Sequence, residues 1–197
     1  MDVRRLARAE AETAFDDLAR LRITVFRDFP YLYEGDLDYE RRYLATYMES
    51  PGAVVIGAFD ENRLVGAATA SPLNDHFEAF AEPFAKRGLD PADFFYFGES
   101  VLEKRYRGQG LGVRFFNERE KAATEAGFGA CVFSAVIRPA DHPLRPAGYR
   151  PLDDFWRHRG YARIDGLTTG FSWRDVGQAQ ETVKTMEYWT RRIDRAG

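Results

Sequence analysis

Residues 94–127, FFYFGESVLEKRYRGQGLGVRFFNEREKAATEAG, restrict the chain to a narrow set of folds. Phe94–Leu102 is apolar and aromatic apart from Gly98, Glu99 and Ser100, which suits a strand covered on both faces. Arg105 and Arg107 follow, with glycines alternating at 108, 110 and 112. From there Leu111, Phe115, Phe116, Ala122 and Ala123 recur at near-helical spacing, and Gly127 is placed to cap the helix. Glycines ahead of a helix let the backbone turn tightly and approach a ligand. The first helical N–H groups have no internal partners, and the helix dipole puts about half a positive charge beside them. The stretch reads as strand, basic turn and helix, built to receive phosphate.

Three phosphate-binding designs compete for it. A nucleoside-triphosphate loop needs a lysine and a hydroxyl after its last glycine, and neither stands here. A dinucleotide fingerprint needs GxGxxG, but Val113 occupies the third glycine position. It also needs an acid about twenty residues on, where the next strand ends in Arg138 instead. The third form, [RQ]xxGx[GA], is met by Arg107, Gly108, Gln109, Gly110, Leu111 and Gly112. On this motif, placed between a strand and a helix, the chain resembles the GNAT superfamily of N-acetyltransferases. That resemblance implies acetyl-coenzyme A as cofactor, with its pyrophosphate held by the amides of residues 107–112. Val101 and Leu102 would turn backbone groups toward the pantetheine arm where their strand bulges.

The remaining sequence agrees in order. Residues 3–6 suggest a strand; residues 12–26 suggest an amphipathic helix through Phe15, Leu18, Leu21 and Val25; residues 39–47 suggest a second helix. A hairpin is expected from residues 54–59 and 63–70 around Asp60, Glu61 and Asn62. Phe77, Phe80 and Phe84 share a helical face, but Pro83 argues for two short pieces rather than one helix. After a strand at 129–137 come a proline-rich loop at 140–151, a short helix closed by Gly160, strand pieces at 161–163 and 167–173, and a last strand at 183–189. FWRHRGYARI, residues 155–164, is similar to the family's late segment, in which a short helix ends in Gly-Phe or Gly-Tyr. The implied fold is α+β: a mixed, mostly antiparallel sheet, flanked by helices, whose fourth and fifth strands splay to admit the cofactor. With 197 residues and no linker or repeat, one domain spanning 1–197 is expected.

Composition narrows the partners. A net charge of −3 gives no general affinity for nucleic acid, so the basic turn fits one anionic ligand better than a polymer. The single Cys131 lies in an apolar strand, and the three histidines, His76, His142 and His158, show no metal-ligand spacing. No run reaches the roughly twenty apolar residues of a membrane span, and MDVRRLARAEAE has no signal-peptide core, so a cytoplasmic protein is expected. Exposed closing strands leave room for a homodimer.

Acetyl transfer to an amine needs a base, a polarised carbonyl and an acid for the leaving thiolate. Glu99 is the candidate base, since an acid within FYFGESVL must be either paired or put to use; the other reading is a buried acid pairing with an arginine. The family's usual tyrosine acid, four residues before the late glycine, is replaced here by Trp156. Tyr149 stands in as candidate acid, or packs in its loop. Tyr31 and Tyr33, beside Glu34 and Asp36, suit a cationic amine. Arg138 and His142, with Arg145, are placed to meet a substrate carboxylate or phosphate; alternatively Asp141 pairs with one of the arginines and pins the loop. The resemblance implies transfer to the primary amine of a small molecule or peptide, and the Trp156 departure keeps open a non-catalytic acyl-coenzyme A sensor.

Overall fold

The computed structural model describes residues 1–76 and 78–194. Seven strands form one sheet in the order β1-β2-β3-β4-β5-β7-β6. They are β1 (Asp2–Arg5), β2 (Val54–Asp60), β3 (Arg63–Pro72), β4 (Phe94–Leu102), β5 (Ala130–Val136), β6 (Ala162–Arg174) and β7 (Glu181–Arg192). Every neighbouring pair runs antiparallel except β4 and β5, which are parallel.

Two helical layers cover the first four strands, which explains why β3 is buried along almost its whole length. Helices α1 (Arg8–Thr13), α2 (Phe15–Phe26) and α3 (Leu37–Glu49) lie on one face. There Leu18, Leu21 and Leu44 pack with Val55, Ala67 and Val101. Helix α5 (Leu111–Glu125) covers the other, placing Leu111 and Phe115 against Val3, Ile56 and Val65. Val55 and Ile56 thus serve opposite layers, as the two-residue period of a strand requires.

Two departures from regular pairing shape the middle of the sheet. The β4–β5 ladder consists of Phe94↔Ala130, Phe95↔Cys131 and Tyr96↔Val132, and past these rungs the strands separate. On the other side of β4 the register moves from Ala70↔Phe97 to Ala68↔Ser100, so Thr69 faces both Gly98 and Glu99. This is a β-bulge. Glycine is needed within it: a Cβ on Gly98 would lie 2.6 Å from Thr69 Oγ1 and 2.8 Å from the Tyr47 hydroxyl.

Three local expectations need correction. Residues 12–26 belong to α1 and α2, which meet at Ala14, rather than to one helix. The two late strand pieces are the single strand β6, whose pairing shifts between Arg163 and Thr168 around Gly166 at φ 66°. Pro83 does not divide its segment: α4 (Glu78–Lys86) runs straight through it. Proline removes the N–H that would bond the Ala79 carbonyl, and Thr169 Oγ1 on β6 donates to that oxygen instead at 2.5 Å. Phe80 and Phe84 are buried in the core; Phe77, expected on the same face, lies outside the described residues. The last helix is α6 (Asp153–His158).

Candidate active site

The turn entering α5 has the geometry of an anion cradle. Gly108 and Gly110 both adopt φ 78°, a left-handed conformation that glycine reaches without strain, and Gly110 caps the helix. A Cβ on either would meet nothing within 4 Å, so the space above the turn is open. Arg107 bonds its amide back to Lys104 and its Nε to Leu102 O, which fixes the approach to the turn. Among the described residues, the amides of Gly108, Gln109, Gly110, Leu111 and Gly112 donate to no other part of the chain. Free N–H groups at a helix start are suited to receiving anionic oxygens. They lie beyond the end of β4, next to the gap between β4 and β5. Val101 turns its side chain into the α1–α3 layer and Leu102 packs toward α5, and both pair with β3 in the sheet.

On the other side of the bulge is a cavity of about 310 Å³. Its walls come from α2, the segment joining α2 to α3, α3, β4 and the paired ends of β6 and β7. Glu99 lines it and is 4% exposed. Its Oε2 is 2.5 Å from Arg22 Nη1 and receives the Tyr43 hydroxyl at 3.5 Å, while its Oε1 is buried with no partner among the described residues. Arg22 also donates through Nε to Glu40. Its guanidinium lies between Tyr43 at 4.3 Å and Phe26 at 5.2 Å. Burial opposes the charge on Arg22, but Glu99, Tyr43 and Glu40 outweigh it and hold the group above its ordinary pKa. One guanidinium therefore serves two buried carboxylates. Tyr31 and Tyr33 line the same cavity. Burial pushes Tyr31 up to about 12, and burial with Glu40 nearby pushes Tyr33 higher still, so both keep their protons at neutral pH.

The Acetyltransferase (GNAT) family model matches residues 18–147. The chain belongs to that family. Solved acetyltransferase structures superpose over the full length. The ribosomal-protein-alanine N-acetyltransferase from Brucella melitensis aligns with TM-score 0.64 at 15% identity, covering 98% of this chain and 100% of the other. An aminoglycoside 6'-acetyltransferase type Ii aligns at 0.60 and 17%, covering 100% of both. The Salmonella typhimurium yncA protein, a putative acetyltransferase solved with its cofactor acetyl-CoA, aligns at 0.63 and 11%, covering 100% of this chain and 96% of its own. At these identities the likeness is one of fold. A comparison with curated proteins found no match. No helix among the described residues is long and apolar enough to cross a membrane.

Within this GNAT chain the other expected site residues fall away from Glu99. Arg138 bonds Asp175 through both terminal nitrogens at 2.8 and 2.9 Å, and also donates to the carbonyls of Pro30 and Tyr31. Its donors are engaged within the fold, and its carboxylate partner is Asp175, not Asp141. Asp175 lies closer because the turn after β6 folds back over the loop. His142 accepts from the Leu144 amide and Tyr149 packs edge-on against Phe29 at 4.7 Å. Neither lines the cavity. Trp156 packs on Phe133 and Trp189 at 5.0 and 5.1 Å. Cys131 is buried, and burial pushes its thiol up to about 12, so it is no nucleophile.

The sequence reading missed Arg22, Glu40 and Arg119. Arg22 follows Leu18 and Leu21 on the apolar stripe of α2, Glu40 shares the stripe of Tyr43, Leu44 and Tyr47, and Arg119 sits one turn after Phe115. A charge in register with an apolar stripe is the signal that could have found all three.

Proposed function

We propose that the chain is an acetyl-coenzyme A-dependent N-acetyltransferase, passing the acetyl group to a primary amine by direct attack. The observation that carries this reading is the run of unbonded amides at residues 108–112. It lies at one end of the β4–β5 gap, with the Glu99 cavity beside the bulge of the same strand. The residues present fit the cofactor. Amides 108–112 with Arg107 would hold its pyrophosphate, and the unpaired edge of β4 beyond Tyr96 would receive the pantetheine arm. Acetyl-coenzyme A supplies an activated thioester carbonyl.

Glu99 then acts as base. An amine enters as its ammonium and must lose one proton before attack and a second as the amide forms; the departing thiolate takes up one, and one is released. Glu99 is the acceptor for the first, while Arg22 holds its Oε2. Tyr31 and Tyr33, protonated and facing the same cavity, orient the amine.

Gly110→Asp tests the donor half. It sets a carboxylate among the amides in a position with no neighbour to clash against, at the cost of the strain that φ 78° imposes on any side chain. Calorimetry should show coenzyme A binding lost in a protein with native circular dichroism, and unchanged affinity would remove the reading. The packing of Trp156, where many family members carry a tyrosine, favours a second reading, a non-catalytic acyl-coenzyme A sensor. Coenzyme A binding without thiol release on any amine offered would favour the sensor.

A further inference from the structure

Acetyl transfer leaves negative charge on sulfur, and that charge needs a hydrogen-bond donor as much as the amine needs a base. Given the acetyltransferase reading, Glu99 answers the second need; the first calls for another side chain. Trp156 does not supply it, since it packs on Phe133 and Trp189 at the far face of β5. Tyr149 does not line the cavity. The gap between β4 and β5 has a direction. Amides 108–112 lie beyond its wide end, past Leu102, and the strands close on each other at Tyr96↔Val132. A thioester carrier anchored by phosphate at the wide end brings its reactive end toward the narrow one, beside the cavity that Glu99 lines.

Two hydroxyls stand there. Of the hydroxyl side chains lining the cavity, only Tyr96 and Ser134 belong to the two strands that part. Tyr96 is the last β4 residue paired with β5, and Ser134 lies two residues beyond its partner Val132, on the same face. Their oxygens meet at 2.7 Å, so the pair spans the gap at its narrow end. Distance alone allows either oxygen to donate, and burial decides between them. The Tyr96 hydroxyl is in a residue 3% exposed and has no other partner among the described residues, so its hydrogen goes to Ser134 Oγ. The Ser134 hydrogen is then left with Met186 Sδ, 4.0 Å away and a weak acceptor. An anionic sulfur in the gap is a far stronger acceptor, and rotation about one bond would turn the hydroxyl toward it. Burial holds the Tyr96 phenol well above its ordinary pKa, against the pull of its bond to Ser134, so it stays protonated and able to donate.

We propose that Ser134, oriented by Tyr96, is the hydrogen-bond donor to the thioester sulfur. Ser134 is the residue that meets the reacting atom, and Tyr96 is a positioning residue. The pair keeps both its protons. As the C–S bond breaks with its electron pair on sulfur, the Ser134 O–H spreads that charge, and the proton that the sulfur finally takes up is one of the two the amine gives away.

The thiol of bound coenzyme A reports this contact without turnover. It is titrated on the full chain by the ultraviolet absorbance of its thiolate, with calorimetry for affinity. A donor favours the thiolate, so Ser134→Ala should move the midpoint of that titration up by about one pH unit. It should also lower kcat with acetyl-coenzyme A and an accepted amine ~10–100-fold, while coenzyme A affinity stays within ~3-fold. Tyr96→Phe keeps the Ser134 hydroxyl but removes what orients it, so the midpoint should move the same way by less. Should Ser134→Ala fail to fold, Tyr96→Phe decides by that midpoint. Ser172→Ala takes a cavity hydroxyl from β6 instead and should leave the midpoint where it was. If the pair only latches β4 to β5, both gap variants will lower the urea midpoint of unfolding and leave the thiol titration unmoved, and the proposal is wrong. An unchanged kcat in Ser134→Ala would overturn it as well. In both cases coenzyme A still binds and the acetyltransferase reading stands; an unaltered chain that binds no coenzyme A overturns the two together.

Discussion

Arg119 is 1% exposed and, unlike Arg22, forms no ion pair with a carboxylate among the described residues. It donates instead to four oxygens: Phe115 O one turn back, Thr69 O and Glu99 O across the bulge, and Ser100 Oγ. Its guanidinium lies over Phe97 at 4.2 Å. Burial brings it down to about 10, which leaves it charged at neutral pH. Arg119→Met would strip the Thr69 and Glu99 carbonyls of this buried donor, at a cost of about 2–4 kcal/mol. Urea unfolding should show that loss, and calorimetry should show weaker coenzyme A binding as the bulge slackens. At Glu99 itself, Glu99→Gln should lower turnover about 100-fold with coenzyme A affinity little changed; equal turnover would make Glu99 a structural partner of Arg22. The sequence could nominate Glu99 because an acid among aromatics stands out. It could not supply Arg22 or Arg119 as neighbours, since each reaches Glu99 from a helix whose docking only the tertiary fold defines.

Among the elements, the glycine turn before α5 was the most legible, because a left-handed glycine and a helix start are local properties. Helix α4 was the least legible. Its continuity depends on Thr169, ninety positions away, bonding the carbonyl that Pro83 leaves free. Thr169→Val should therefore destabilise the protein by about 1–2 kcal/mol. In a Pro83→Ala background, where the helix can bond Ala79 O itself, the same change should cost less, and a double-mutant cycle in urea measures the difference. Equal costs in both backgrounds would mean that the hydroxyl does not replace the missing N–H. The break between α1 and α2 at Ala14 has no marker in the sequence, which offers only alanines and threonine there.

For the molecule as a whole, chain order pointed to the sheet, but periodicity could not say that β7 lies between β5 and β6, because an inserted strand reads like any other. Global stability should carry the mark of His76. Unfolded, this imidazole titrates near 6.5; folded, burial first and Arg22 second hold it down to about 3. Below pH 6.5 the unfolded chain takes up a proton that the folded one refuses, so stability falls with acidification and has lost about 1 kcal/mol by about pH 5.5. Urea midpoints measured between about pH 7.5 and 5 should show this slope, and His76→Gln should flatten it. The β4–β5 seam has a mechanical consequence. Because it closes over only Phe94–Tyr96 and their partners, the sheet is a pair of jaws on a short hinge. A cofactor lying between the jaws would act as a rivet, and deuterium uptake at 97–102 and at 133–136 should slow together when it binds.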